Sequence, residues 1–360
     1  MAGTRPRKGG LIARSNSRRT AVIVAAVLVL IAGFAMYRWR TSGFKWSEFV
    51  GTFTGVDPAW LAASCGFALL TYYGRALRWQ IMLRPLRPES RTWDILVCTV
   101  VGFTAIVFFG RAGELVRPYL ISVKERVPFS SQMAAWILER VLDLMMVLLI
   151  FGIALSRVPE TGLTPGPNMK LVLQAGGTIL GVAGAVCLGI LLVFRNFSES
   201  AQRRLMDSLT FLPERHRAKI DGVVGAFSQG LGSTRGNGFM SRLLAYSVME
   251  WVIIVLCFVC LFKAFPNVSR FSITDIIVFL GFVSLGAAIQ IPGIGGGMQV
   301  AAVLVLTELF GVTLESAAGF ALALWVVSFV AVVPVGLVLG FREGLNWRRL
   351  GRIGEEAGDA

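Results

Sequence analysis

Gly110-Arg111-Ala112-Gly113-Glu114, with Arg117-Pro118 just beyond, places glycine and charge at the end of an otherwise apolar run. Glycine lets a backbone turn sharply and approach a ligand, and a helix starting near such a turn offers free N–H groups to an anion. Glu139, Arg140 and Asp143 form a second charged group inside the apolar stretch from Ala134 to Leu155. Within a bilayer each such charge costs roughly 2.5–3.5 kcal/mol unless it faces protein or water. Arg140 and Asp143 are spaced to pair on one helix face; Glu139 needs another partner, for which Arg111, Arg117, Arg75 and Arg78 are available. The third group, Pro292-Gly293-Ile294-Gly295-Gly296-Gly297-Met298-Gln299, is a glycine turn set among apolar residues. No strand precedes it and no Gly-Lys-Ser/Thr follows, which removes a nucleotide loop. Glu250 and Glu308 are further carboxylates in apolar sequence, suited to proton or substrate contacts or to interhelical hydrogen bonds.

Arg75, Arg78, Arg111, Arg117 and Arg140 outnumber Glu114, Glu139 and Asp143, so this group carries surplus positive charge. Guanidinium groups bind phosphate oxygens in pairs, and a phosphate head group is one reading. A self-neutralised ion network that fixes helix packing is the other, and residue types leave both open. The candidate substrate-binding residues are Arg75, Arg78, Gly110, Arg111, Gly113, Glu114, Arg117, Glu139, Arg140, Asp143, Pro292, Gly293, Gly295 and Gln299. No catalytic residue, metal or cofactor is expected, and the chain is not read as an enzyme. Cys65, Cys98, Cys187, Cys257 and Cys260 all lie in apolar runs, and His216 stands in a basic segment away from them.

The elements that position these residues must live in a membrane. Of 360 residues, 55% are hydrophobic and only 16% charged, with a mean hydropathy of +0.69. The net charge of +14 does not point to nucleic acid, because Lys and Arg cluster between apolar runs, as topology signals and anionic-lipid contacts do. Six full crossings are expected, at about 21–37, 59–83, 134–155, 171–194, 243–262 and 317–341. The runs Ile95 to Gly110 and Ile276 to Ile291 end in glycine turns followed by partly apolar arms, which predicts two re-entrant or broken helical hairpins. The fold class is thus an all-α polytopic membrane protein.

Basic residues place both termini in the cytoplasm of a bacterial-type plasma membrane, with a basic segment at 1–19 and a tail at 346–360. Arg38, Arg40 and Lys45 after the first span violate that rule. The linker at about 195–242 interleaves Arg203, Arg204, Arg215, Arg217 and Lys219 with Leu205, Met206, Leu209 and Phe211. It reads as an amphipathic helix on the anionic leaflet or as a solvated linker. Asp94-Ile95-Leu96-Val97 and Asp275-Ile276-Ile277-Val278 open similar stretches, giving repeat copies at about 94–156 and 275–341. With one hairpin entering from each side, the copies are expected to be inverted, the arrangement of many alternating-access transporters.

Tyr73-Gly74-Arg75-Ala76-Leu77-Arg78-Trp79, the Gly110 to Glu114 turn with Arg117-Pro118, the Glu139-Arg140-x-x-Asp143 helix and the Pro292 to Gly296 turn resemble the lysylphosphatidylglycerol synthase transmembrane (flippase-like) family. The resemblance covers residues 20 to 345 and implies an integral membrane protein, in some members a flippase for aminoacylated phosphatidylglycerol. Gln299 stands where relatives commonly have Glu. The chain ends soon after its last span, so it is not expected to make lysylphosphatidylglycerol itself. The function expected is a flippase or transporter for an anionic phospholipid or a polyprenyl-phosphate type lipid. The alternatives are a non-catalytic membrane partner of an envelope lipid or glycan enzyme and, ranked below it, a membrane-embedded head-group transferase.

Overall fold

The computed structural model describes residues 43–157, 175–176, 180, 182–186, 238–287 and 296–344. The chain divides into residues 1–48 and 49–360, and the helices that follow belong to the second unit. Helix α1, Pro58–Leu83, starts where Asp57 accepts hydrogen bonds from the N–H groups of Ala59 and Trp60, with proline in its first turn. Its 26 residues give it a length of about 39 Å at 1.5 Å per residue. Helix α2, Thr92–Phe109, ends at Gly110, and a 3₁₀ turn, Gly110–Leu115, leads into α3, Val116–Glu125. Helix α4, Phe129–Arg157, and helix α5, Phe239–Ala264, are long.

The C-terminal part has the same order. Helix α6, Ile273–Gly286, is opened by a reciprocal cap between Ser272 and Asp275. Helix α7, Gly297–Leu304, runs into a π turn, Val305–Leu309. Helix α8, Leu314–Trp325, continues through a π turn at Val326–Val330 into α9, Val332–Arg342. Pro334 has no N–H to offer the carbonyl four residues back, so the regular ladder is broken where the π turn ends.

Among the described residues every regular element is helical, and Thr92–Phe109, Ser241–Ala264 and Leu314–Arg342 are long and apolar enough to cross a membrane. Helices α1 and α4 have the length but a lower mean hydropathy, since they carry the clustered charges. The expected arm from Ile95 is an 18-residue helix with the length and hydropathy of a crossing, and it breaks at Gly110 into a return arm. The expected span at 21–37 lies outside the described residues, as do most of 171–194 and nearly all of the 195–242 linker.

Helix α1 packs along α5, α4 along α6, and α9 along α2. The last two contacts exchange partners at corresponding positions. Gly281 of α6 lies against α4, where a Cβ would fall 2.7 Å from the Ala154 Cβ and 3.2 Å from the Ile150 carbonyl oxygen. Gly336 of α9 lies against α2, where a Cβ would meet the Thr104 Cβ at 2.8 Å and the Val100 carbonyl oxygen at 3.1 Å. Counting from Asp94 and Asp275, Val100 and Gly281 are equally far along; counting from Ser130 and Ser316, so are Ile150 and Gly336. A twofold relation between the halves would swap these two contacts.

The turns match as well. Gly110 has φ 60° and ψ −137°, and Gly296 has φ 58° and ψ −125°, backbone angles open to glycine and to almost no other residue. Each precedes the return arm of its hairpin.

Candidate functional site

Four helices carry charge to one point. Arg75, Arg78 and Trp79 of α1 share a face by their spacing of three and four, and Arg117 lies in the first turn of α3. Glu139, Arg140 and Asp143 come from α4; Ser247 and Glu250 come from α5.

Glu139 is the hub and is fully buried. Arg117 Nη1 donates to its two oxygens at 2.9 and 3.0 Å, and Arg140 Nη2 donates at 3.0 Å. Arg78 Nη2 lies 3.3 Å away and Arg75 Nη1 3.6 Å. Asp143 accepts from Arg78 Nη1 at 2.7 Å and pairs with Arg140 at 3.4 Å and Arg75 at 3.5 Å. Arg78 Nη1 also reaches Ser247 Oγ at 3.2 Å. Arg117 Nη2 donates to the Arg75 carbonyl at 3.1 Å, and its guanidinium lies 4.1 Å from the centre of a Trp79 ring. Trp79 is fixed in turn by donating to Gln132 Oε1 at 2.9 Å.

The surplus of positive charge read from the sequence shrinks, because Glu250 joins the cluster. Its oxygens lie 2.8 Å from Arg75 Nη2 and 3.4 Å from Arg78 Nη1, yet neither contact has hydrogen-bond geometry. Arg75, Arg78, Arg117 and Arg140 thus face Glu139, Asp143 and Glu250 directly.

The cluster forms one wall of a cavity of about 690 Å³. Arg75, Arg140, Asp143 and Glu114 line that wall, while Phe258, Leu280, Val283, Met298 and Phe329 are among its apolar side. Phe103 is shared between the two, lining the cavity 5.0 Å below the Arg75 guanidinium. Across the cavity, the π turn at Val326–Val330 leaves the Ser328 carbonyl free to accept from Tyr72 Oη at 3.2 Å.

The structure therefore brings together Arg75, Arg78, Arg117, Glu139, Arg140 and Asp143, with Glu114 on the same cavity. Gly110 and Gly113 shape the turn; a Cβ on Gly113 would lie 2.5 Å from the backbone of Ala105. Arg111 sits in that turn, and its side chain lies outside the described residues, as do Pro292, Gly293 and Gly295. Gln299 occupies the first turn of α7, where among the described residues its neighbour Met298 lines the cavity instead. Sequence reasoning named Glu250 but did not join it to the arginines, since no local spacing links α5 to α1. In the sequence Trp79 stands out only as the end of the Tyr73–Trp79 stretch that carries the family resemblance. Cys257 packs in the core, its Sγ donating to the Ser64 carbonyl at 3.3 Å. Among the described residues no group of His, Cys, Asp and Glu is placed to hold a metal ion.

The chain is similar to a protein named Glycosyltransferase AglD from Haloferax volcanii, at 24% identity over 262 residues, 68% of this chain and 41% of that protein. It thus spans about two fifths of that relative's length. No solved structure matches it. The family model described as "Lysylphosphatidylglycerol synthase TM region" matches residues 20–336, a stretch that holds the charge cluster, both hairpins and the cavity walls. This chain belongs to the lysylphosphatidylglycerol synthase transmembrane-region family.

Proposed function

We propose that this protein is a translocator, and not an enzyme, for an amphipathic lipid with an anionic, phosphate-bearing head group, of the phospholipid or polyprenyl-phosphate kind. The observation that carries this reading is the two-faced cavity, with Arg75 and Arg140 on one wall and aromatic and aliphatic side chains on the other. A guanidinium pair suits phosphate oxygens, and an apolar wall suits the chains that a soluble ligand lacks. Broken helices meeting at such a site are the usual means of alternating access. The protein would sit in a plasma membrane with both termini in the cytoplasm, as its basic segments direct.

Similarity to part of a protein named as a glycosyltransferase favours a second reading, a membrane module that serves a glycan or lipid enzyme without doing chemistry.

Translocation of fluorescent anionic phospholipids and polyprenyl phosphates in proteoliposomes separates the two. Wild-type activity that Arg140→Ala and a cavity-filling Ser284→Trp both abolish supports the translocator. A folded wild type inactive on every lipid tested, but copurifying with a transferase, supports the second reading.

A further inference from the structure

Three carboxylates serve the buried arginines, and they are not held equally. Glu139 accepts hydrogen bonds from Arg117 and Arg140, and Asp143 accepts one from Arg78. Glu250 is fully buried and neither of its oxygens has a hydrogen-bond partner. An ionised carboxylate away from water persists only through its charge partners, here Arg75 at 2.8 Å and Arg78 at 3.4 Å on α1. Asp143 and Glu139 on α4 are the other charged groups acting on it, and both oppose its negative charge. Arg78 is already committed to Asp143 and Ser247.

Arg75 is the nearer of the two guanidiniums that hold Glu250, and it is the one that faces the cavity from α1. An anion entering the cavity and an ionised Glu250 compete for the same group from opposite sides. Glu250 does not line the cavity and is closed off from solvent by the surrounding helices.

We propose that Glu250 is a substrate-linked proton site: when an anionic head group takes Arg75, Glu250 takes up one proton, and releases it when the head group leaves. This rests on the anion-binding reading of the cavity. One negative charge enters and one is neutralised, so the cluster keeps its charge while no other bond is made or broken. Anionic lipid would then move together with a proton, which supplies the coupling ion that the cavity alone does not name.

The test uses the full chain in neutral detergent with dihexanoylphosphatidylglycerol as probe, because its phosphodiester stays ionised throughout and any proton taken up belongs to the protein. Calorimetric titration in two buffers of different ionisation heat counts protons per probe bound. The expected result at alkaline pH is uptake approaching one proton per probe in the wild type, with affinity falling about tenfold per pH unit. Glu250→Gln should bind the probe with no uptake and no such pH dependence. Binding without uptake in the wild type overturns the proton site and leaves the anion site standing; uptake that persists in Glu250→Gln overturns the assignment to Glu250. No binding of probe to folded wild type overturns the cavity reading, and this inference with it. Should the variant not fold, infrared spectroscopy of the wild type decides: a carboxylic-acid band must appear on probe binding, and its absence refutes the proposal.

Discussion

The half built from α2, α3 and α4 and the half built from α6, α7, α8 and α9 share an element order, a glycine turn of one conformation and a reciprocal helix contact, but they spend their cavity-facing positions differently. Asp143 and Phe329, both thirteen residues beyond their opening serines, line the cavity from opposite halves. Phe103 and Ser284, both nine residues beyond their opening aspartates, do the same. Glu139 and Arg140 correspond to Trp325 and Val326, and Arg117, three residues after Glu114, to Ala302, three after Gln299. Two similar element orders thus yield a cavity face that carries charge and one that carries none. Around the cavity, charge sits where outside help is at hand. Helices α1 and α5, which belong to neither half, bring Arg75, Arg78, Ser247 and Glu250 to the first half.

The largest effect that tests this contrast comes from the hub. Glu139→Leu removes the carboxylate that pairs with buried Arg117 and should lower stability by about 3–5 kcal/mol, whereas Phe329→Leu in the other half should cost at most about 1.5 kcal/mol. Thermal or denaturant unfolding in detergent measures both, and equal costs would break the contrast. Next come the reciprocal glycines. Gly281→Leu and Gly336→Leu each force a side chain between packed helices and should cost about 1–3 kcal/mol by similar amounts. A silent member of the pair would show that only one of the two contacts bears on stability.

Smaller effects sharpen the comparison at the hairpin starts, where the same residue type does two jobs. Asp275 closes the cap of α6 with Ser272, so Ser272→Ala should cost about 1 kcal/mol regardless of salt. Asp94 instead holds Lys124 at 3.1 Å, which also reaches Glu343 at 2.9 Å. Those three side chains are partly exposed, so Lys124→Met should cost about 0.2–1 kcal/mol and less still in high salt.

Much of this was legible in the chain itself. A charge inside an apolar helix is costly wherever the fold puts it, so Glu139, Arg140 and Asp143 announced that partners existed. The three-residue spacing pointed to the Arg140–Asp143 pair, found at 3.4 Å, because residues three apart are neighbours on a helix surface. Arg117 as a partner of Glu139 was one of four arginines that the sequence offered, and only packing of α3 on α4 selected its two hydrogen bonds. Among the glycines, sequence singled out Gly293 and Gly295, while the described backbone gives the glycine-only conformation to Gly296.

The sequence by itself determined that this chain needs a membrane, that its segments are helical, and that its intramembrane charges must be answered. These follow from hydropathy, periodicity and the cost of burying charge, all of which are local or additive along the chain. Only the tertiary structure decided which arginine answers which carboxylate, that Glu250 belongs to the cluster without a hydrogen bond, and that one half turns charge to the cavity while the other does not. Ion pairing and cavity shape depend on distances of a few ångströms between helices far apart in sequence, and no local spacing encodes those distances.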